Sequence, residues 1–460
     1  MIFKLTKGTE VYLSSNSAQI KNIHTTNKAN FDNSGRLFLS QINKSINSVS
    51  TITQKLIKMF PAEDSSMISK DFIDFIKDLE SDGYLILGRD KTEIKQKEDK
   101  LQLQTNKANQ VSSRDSYLIN NLKHIYIELT NRCNEQCVHC YLPKKRKYSS
   151  LSYDVVKKLL DEAIEMKVKN ITFTGGEPFL NKDFRKILKY ASKLNFNINI
   201  QSNLTALNDE YIRYLTEVNI SCIQTSIYST NPTLHDFITK QDGSHKKTVD
   251  TLLKLKKHNI NVRISFALLK LNYKDFIKVN NWAKSLDFPL ELNFDIVGEI
   301  NGEKSNLAYL CDNDEIIDTI NNFIMEDSES LWNSLKTYNK PGSKIIDSPH
   351  TRNICGAGVD SIYINSKGNI TPCACWQKLE IGNILDTTLK ENWCGSEILK
   401  EIRNTKLNDF EDYYRKGFYR FISICFARNA NLNSGNYKKI SERDYDLAKK
   451  IELLARKLSK

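Results

Sequence analysis

From His124 onward, short apolar runs and amphipathic segments take turns along the chain. HIYIELT, NITFT, NINIQS, CIQTSIYS, VRISFALL and LELNFDIV read as strands, each bounded by polar or turn-forming residues. Between them, SYDVVKKLLDEAIEM, KDFRKILKYASKL, DEYIRYLTEV, HKKTVDTLLKLKKH and YKDFIKVNNWAKSL repeat apolar positions at helical spacing. In the first of these helices Ser152 supplies a cap, and Val155, Val156, Leu159, Leu160 and Ala163 share one face. Apolar strands alternating with amphipathic helices predict an α/β fold with a parallel sheet covered by helices. Six such units predict an open, partial (β/α)6 TIM-like barrel over residues 121–300. In that architecture the chemistry sits at the C-terminal ends of the strands.

The flanks read differently. Over residues 1–88, EVYLSS and QIKNIHTT alternate as strands, and ANFDNSGRLFLSQI and TITQKLIKMF follow at helical spacing. ISKDFIDFIKDLE then places Ile68, Phe72, Phe75, Ile76 and Leu79 on one stripe, and Gly83 releases the chain into YLIL. This pattern predicts a small winged-helix-like domain. Residues 89–120 are polar and nearly free of large apolar side chains, which predicts a linker. Residues 301–348 read as a polar helical connection, and residues 349–460 as a small auxiliary domain opening on the hairpin-like NICGAGVDSIYINSKGNITPCACW.

Composition narrows the class. With 460 residues, 40% of them hydrophobic, the chain has ample material for packed cores in two or three domains. No segment approaches 18 uninterrupted apolar residues and the start lacks a signal-peptide pattern, so the expected location is cytoplasmic, with no membrane partner. In a reducing compartment ten cysteines are expected as metal ligands or buried hydrophobes rather than disulfides. The net charge of +12 is spread over amphipathic helices beside Asp and Glu, which reads as solvated surface, and nucleic acid is not an expected partner. The densest basic run is KKRK, Lys144 to Lys147.

Directly behind the first barrel strand, NRCNEQCVHCY spaces Cys133, Cys137 and Cys140 as CxxxCxxC. Three thiolates can hold three irons of a 4Fe-4S cubane and leave the fourth iron open to an exogenous ligand. A zinc site would require a further ligand, such as His139. After the second strand, TGGEP supplies two glycines that admit a close backbone approach, a carboxylate at Glu177 and a fixed exit at Pro178. These residues, in this order, resemble the radical S-adenosylmethionine superfamily, with its CxxxCxΦC motif and its GGEP methionine-binding segment. The resemblance implies a 4Fe-4S cluster on Cys133, Cys137 and Cys140, with S-adenosylmethionine chelating the open iron. It also implies contacts to that cofactor from His139, Gly175, Gly176, Glu177, Pro178, Ser202 and Asn203, and from Ser226 and Arg263 at the fourth and fifth strand ends.

The C-terminal region resembles the SPASM domain in Cys355, in Gly368 five residues before Cys373, in IGNI at 381–384 and in the stretch around Cys425. It departs from that pattern in having no cysteine between Cys394 and Cys425 and none after Cys425, which leaves no ligands for a second auxiliary cluster. One auxiliary cluster is expected, 4Fe-4S or 2Fe-2S, on Cys355, Cys373 and Cys425 with Cys375 or a substrate thiolate as fourth ligand. Cys222, Cys311 and Cys394 are expected as small buried side chains. The first domain resembles the peptide-recognition element of maturation enzymes for ribosomally made peptides, which implies a precursor peptide bound through a leader segment. The whole order is similar to that of sactipeptide thioether synthases. It implies hydrogen abstraction by a 5'-deoxyadenosyl radical, thioether formation as the leading reaction, and an external electron donor of flavodoxin or ferredoxin type. Carbon-carbon crosslinking and epimerisation are the alternatives within the class. An iron-sulfur DNA-binding regulator is the alternative outside it.

Overall fold

The computed structural model describes all residues except 15–16, 23–27, 32, 44, 62, 99–120, 327–353, 377 and 459–460. Most of the expected linker and the second half of the 301–348 connection therefore lie outside the described residues. The chain divides into two compact units, Met1–Tyr117 and Leu118–Lys460.

The first unit holds strands β1 (Ile2–Leu5), β2 (Thr9–Leu13), β3 (Ala18–Asn22) and β4 (Lys28–Phe31), helix α1 (Asn33–Ser40), the short β5 (Asn47–Ser48), helices α2 (Val49–Met59) and α3 (Ser65–Ser81), and β6 (Leu85–Gly88). The strands form two antiparallel three-stranded sheets, ordered β5-β1-β6 and β2-β3-β4. Ser48 and Asp64 cap α2 and α3 with their side chains, satisfying amides that the helices leave free. Phe3, Leu56, Phe72 and Ile76 are fully enclosed, and Phe38 and Phe75 meet at 5.2 Å between ring centroids. Three expectations shift. Ala29–Phe31, expected to start a helix, pairs with β3 as part of a strand. Ile2–Leu5, left without an element, sits between β5 and β6. Residues 91–98, read as linker, are helical and bury Ile94.

In the second unit, β7 (His124–Glu128), β8 (Asn170–Thr174), β9 (Asn197–Gln201), β10 (Ile220–Ser226), β11 (Val262–Ala267) and β12 (Leu290–Asn293) lie side by side in sequence order, all parallel. Helices α4 (Tyr153–Glu165), α5 (Phe184–Lys193), α6 (Asp209–Leu215), α7 (Pro232–Thr239), α8 (Ser244–Lys257) and α9 (Phe276–Ser285) make the crossovers, which is the partial (β/α)6 barrel. Strand alternation sorts the side chains. Ile125, Ile127, Ile171, Phe173, Ile198, Ile200, Ile264 and Phe266 are buried in the apolar core. Thr172, Asn199, Gln201, Gln224, Ser226 and Ser265 fall on the opposite face. Helix α7, absent from the periodicity reading, starts on Pro232 and is capped by the Asn231 side chain.

The sheet continues past β7 into the C-terminal region. Strand β13 (Ser361–Ile364) pairs in parallel with β7, and β14 (Asn369–Thr371) and β15 (Gly382–Asn383) add antiparallel strands beyond it. The carboxylate of Glu128, 2% exposed, accepts hydrogen bonds from Tyr363 Oη at 2.5 Å, Ser366 Oγ at 2.5 Å and Ser366 N at 3.1 Å. Three donors offset the cost of burying that charge, and they fix the cysteine-bearing hairpin against the first barrel strand.

Candidate functional site

The loop after β7 is held before its cysteines begin. Thr130 Oγ1 donates to Ser149 O at 3.0 Å, and Asn131 Nδ2 donates to Lys147 O at 2.9 Å. On its far side, Gln136 N and Val138 N donate to Thr239 O and Ile238 O, tying the loop to α7. The result is a cavity of about 320 Å³ at the C-terminal ends of the strands. Cys133, Cys137 and Cys140 all open onto it, together with Gly175, Gly176, Ser202, Asn203 and Ser226.

Burial governs the electrostatics. It pushes the Cys133 thiol up to about 12, and raises Cys140 and, still further, Cys137. Thiolates here need a bound cation, because no other charge offsets their desolvation sufficiently. Donors are nevertheless aimed at two of the sulfurs. Glu135 N and Leu142 N lie 3.4 Å from Cys133 Sγ and Cys140 Sγ, and Asn203 Nδ2 lies 3.8 Å from Cys133 Sγ. Three convergent sulfurs, poor as anions and supplied with N–H donors, fit an iron-sulfur group in which each thiolate takes its own iron. Among the described residues no three Cys, His, Asp or Glu side chains are placed to hold one single metal ion.

The glycines have a structural use besides lining the cavity. A Cβ on Gly175 would stand 2.3 Å from Thr130 O, and one on Gly176 would stand 2.2 Å from Arg132 O. Gly176 N and Glu177 N donate to those same two carbonyls, each at 2.7 Å. The close approach is thus to the chain's own segment entering Cys133. Glu177 is fully buried and absent from the cavity wall. Its carboxylate accepts from Ser202 Oγ at 2.9 Å, Asn203 N at 2.8 Å and Phe179 N at 3.1 Å, while burial pushes it up to about 7. It acts here through Ser202 and Asn203, which do reach the wall. Pro178 opens a short helical turn behind the wall.

Two expected wall residues are elsewhere. Arg263 is the second residue of β11, exposed and 3.8 Å from Glu291, so it lies toward the wrong end of its strand to reach the mouth. Ser265, two positions on, takes that place. His139 packs edge-on against Tyr228 at 5.1 Å outside the wall, and burial pushes it down to about 4, which keeps the ring neutral. The pattern reading also missed Thr174, Gln201, Gln224, Tyr228, His235 and Thr248, all of which line the cavity. Strand alternation carries the signal for Gln201 and Gln224. Nothing local announces His235, which arrives on α7 and whose Nδ1 accepts from Tyr228 N at 3.3 Å.

A second sulfur cluster forms in the C-terminal region. Cys355 and Cys375 each feel the charges of Cys373 and Cys425, so the fold brings the four into one region. Burial pushes Cys355 up to about 11, while the hydrogen bond from Cys375 lowers Cys373 to about 7 and raises Cys375 in turn. Ala357 N, Cys375 N and Arg428 N point at Cys355, Cys373 and Cys425 from 3.5, 3.4 and 3.4 Å. Helix α10 (Phe426–Leu432) follows Cys425, and its Arg428, 7% exposed, pairs with Asp444 at 2.9 Å and with Asp295 beyond the end of β12. Cys311 is buried and Cys394 half-buried, both in the apolar core. Cys222 lies on β10 away from the cavity wall.

Residues 127–283 match the Radical SAM superfamily, and residues 355–416 match the SPASM iron-sulfur cluster-binding domain. The chain is 26% identical over 333 residues to the antilisterial bacteriocin subtilosin biosynthesis protein AlbA of Bacillus subtilis, covering 69% of this chain and 70% of that one. It is 26% identical over 292 residues to the sporulation killing factor maturation protein SkfB of the same organism, covering 61% and 67%. Among solved structures, Streptococcus suis SuiB bound to S-adenosylmethionine superposes with a TM-score of 0.58 at 14% identity, covering 96% of this chain and 99% of that one. SuiB bound to its precursor peptide SuiA gives 0.56 at 13% identity, covering 88% and 91%. These likenesses in structure establish the fold.

Proposed function

We propose that this chain, an enzyme built from a radical SAM domain and a SPASM domain, modifies a ribosomally made precursor peptide by forming a thioether from a cysteine sulfur to a carbon of another residue. The observation that carries the reading is the meeting of Cys133, Cys137 and Cys140 in one cavity at the strand ends, with a second group of four cysteines in the same unit. Relatives named for bacteriocin biosynthesis and for maturation of a killing factor support a peptide substrate, as does SuiB with its bound precursor.

When bound, the cluster and S-adenosylmethionine supply a 5'-deoxyadenosyl radical through one-electron cleavage of the sulfonium. The chain's own part is to bind, orient and exclude water. Cys133, Cys137 and Cys140 would hold three irons. Gly175 and Gly176 press their turn onto the backbone leading into Cys133, and Glu177 aligns Ser202 and Asn203 along the wall. Gln201, Gln224, Ser226 and Ser265 add hydrogen-bonding groups suited to an amino acid and a ribose. Cys355, Cys373, Cys375 and Cys425 would hold the auxiliary cluster, and the nearness of Cys375 to Cys373 and Cys425 supports a site closed by protein alone.

For the leader segment, β4 is an edge strand among the described residues. A cavity of about 570 Å³ beside it is lined by Phe31, Leu37, Phe38, Phe60, Ile68 and Phe75. An open strand edge next to an apolar groove supports capture of an extended peptide by strand addition. Such tethering raises the effective concentration of the segment to be modified.

The test is anaerobic turnover, with reductant and S-adenosylmethionine, of any short cysteine-containing peptide that sequencing finds encoded beside this chain, followed by mass spectrometry. A thioether removes two hydrogens and one alkylatable thiol per bond. Loss of two hydrogens with every thiol still alkylatable would mean a carbon-carbon crosslink, and unchanged mass with altered stereochemistry would mean epimerisation. Cys137→Ala should abolish 5'-deoxyadenosine formation.

A further inference from the structure

The three-cysteine loop carries on its outer side a cationic face that the chemistry above leaves without a role. Arg132, Lys144, Lys145 and Lys147 are exposed around Tyr148, which is 60% exposed. Arg132 and Arg146 hold their guanidinium groups 5.6 and 5.9 Å from the Tyr148 ring centroid. None of these five cations forms an ion pair with a carboxylate among the described residues. Other surface cations of the barrel do find carboxylates, as in Lys157–Asp161, Arg185–Glu210 and Lys254–Asp209. An unmatched group of five is costly to keep together unless an anionic partner neutralises it.

The face is built into the loop. Arg146 Nε donates to Asn131 O and Nη1 to Pro143 O, each at 2.7 Å. Asn131 in turn receives Ser149 N on its side-chain oxygen at 2.9 Å. Lys144 and Arg146 touch the cavity rim, whereas Arg132, Lys145, Lys147 and Tyr148 do not line it. The patch therefore presents mainly to solvent, beside the site that must receive an electron.

We propose that this face is the docking surface for an acidic one-electron carrier protein. The inference rests on the radical SAM reading, under which each sulfonium cleavage requires one electron from outside. The carrier is oxidised by one equivalent, and the group held by Cys133, Cys137 and Cys140 is reduced by one. Electron transfer falls steeply with distance, so a productive carrier docks close to those cysteines, and this patch adjoins their loop, with Lys144 and Arg146 on the rim of the same cavity. Positive charge there steers an anionic partner and makes its arrival salt-sensitive. Tyr148 offers a flat amphipathic contact at the centre.

The experiment compares two reductants on the reconstituted full-length enzyme. One is sodium dithionite, and the other is a purified acidic flavodoxin held in its hydroquinone form. Lys145→Glu with Lys147→Glu should lower the flavodoxin-driven rate of 5'-deoxyadenosine formation by roughly tenfold or more, and should flatten its salt dependence. The dithionite-driven rate should stay within about twofold, which also shows that the variant folds and holds its cluster. Lys145→Gln with Lys147→Gln should fall between. An unchanged flavodoxin-driven rate overturns the proposal, as does a parallel fall with both reductants. A rise confined to the KM for the peptide does so as well, since it assigns the face to an acidic substrate. Wild-type protein that makes no 5'-deoxyadenosine even with dithionite overturns the proposed function itself, and the docking surface with it.

Discussion

A methyl group added at Gly176 is the most economical probe of how the site is assembled. In Gly176→Ala the new carbon would stand 2.2 Å from Arg132 O, 2.5 Å from Arg132 C and 2.9 Å from Asn131 O, all backbone atoms, where ordinary contact begins at 3.4 Å. No side-chain rotation can relieve this. The turn and the loop must part by roughly 1.2 Å, the step from 2.2 to 3.4 Å. That movement stretches the 2.7 Å bonds from Gly176 N to Thr130 O and from Glu177 N to Arg132 O. Two weakened buried bonds at about 1 kcal/mol each, with overpacking strain of about 1–3 kcal/mol, give a destabilisation on the order of 3 kcal/mol. Catalysis should suffer more than stability, because Arg132 leads directly into Cys133. A misplacement of about 1 Å costs on the order of a hundredfold in rate. The assay is 5'-deoxyadenosine formation by anaerobically reconstituted enzyme, read beside iron content and thermal denaturation. Gly395→Ala is the control, since a Cβ there meets nothing within 4 Å. Wild-type iron, stability and rate in Gly176→Ala would refute the claim that these glycines join the turn to the cysteine loop.

Two further outcomes follow from buried charge. His235 is 1% exposed, and burial pushes it down to about 4 from 6.5. The folded state then binds fewer protons than the unfolded chain between those values. The stability this contributes is present above pH 6.5 and is lost as pH falls toward 4, by up to about 3 kcal/mol; His235→Gln should flatten that part of the stability-versus-pH curve, and an unchanged slope counts against it. Arg428→Met should cost about 3 kcal/mol, because it leaves buried Asp444 uncompensated, whereas half-buried Asp295 keeps its pairing with Arg443. Combining it with Asp444→Asn should recover part of that loss in denaturant titrations, and strict additivity would show that the pair does not act as one.

Local pattern was enough for much of this protein. The period of apolar residues placed the six barrel strands and most of their helices, because burying one face of a strand or helix imposes its spacing on the sequence itself. The spacing of Cys133, Cys137 and Cys140 likewise announced its chemistry, since all three lie in one loop whose length limits how far they can separate. Arg263 shows where that reasoning ends. It belongs to the expected strand, yet a position two residues from the C-terminal end of β11 would have reached the cavity and its own does not. The double glycine announces a close backbone approach, but only the structure shows that Thr130 and Arg132, from a neighbouring strand's loop, stand where its Cβ atoms would be. His235 reaches the wall on α7, and Ile2–Leu5 becomes a strand by pairing with Leu85–Gly88, at the far end of its unit's sequence. Cys355, Cys373, Cys375 and Cys425 converge only once β13 adds to β7 and Glu128 binds the hairpin. Burial leaves a period in the sequence because each element satisfies it alone; convergence of side chains from several elements depends on strand register and crossover packing, which no single segment records.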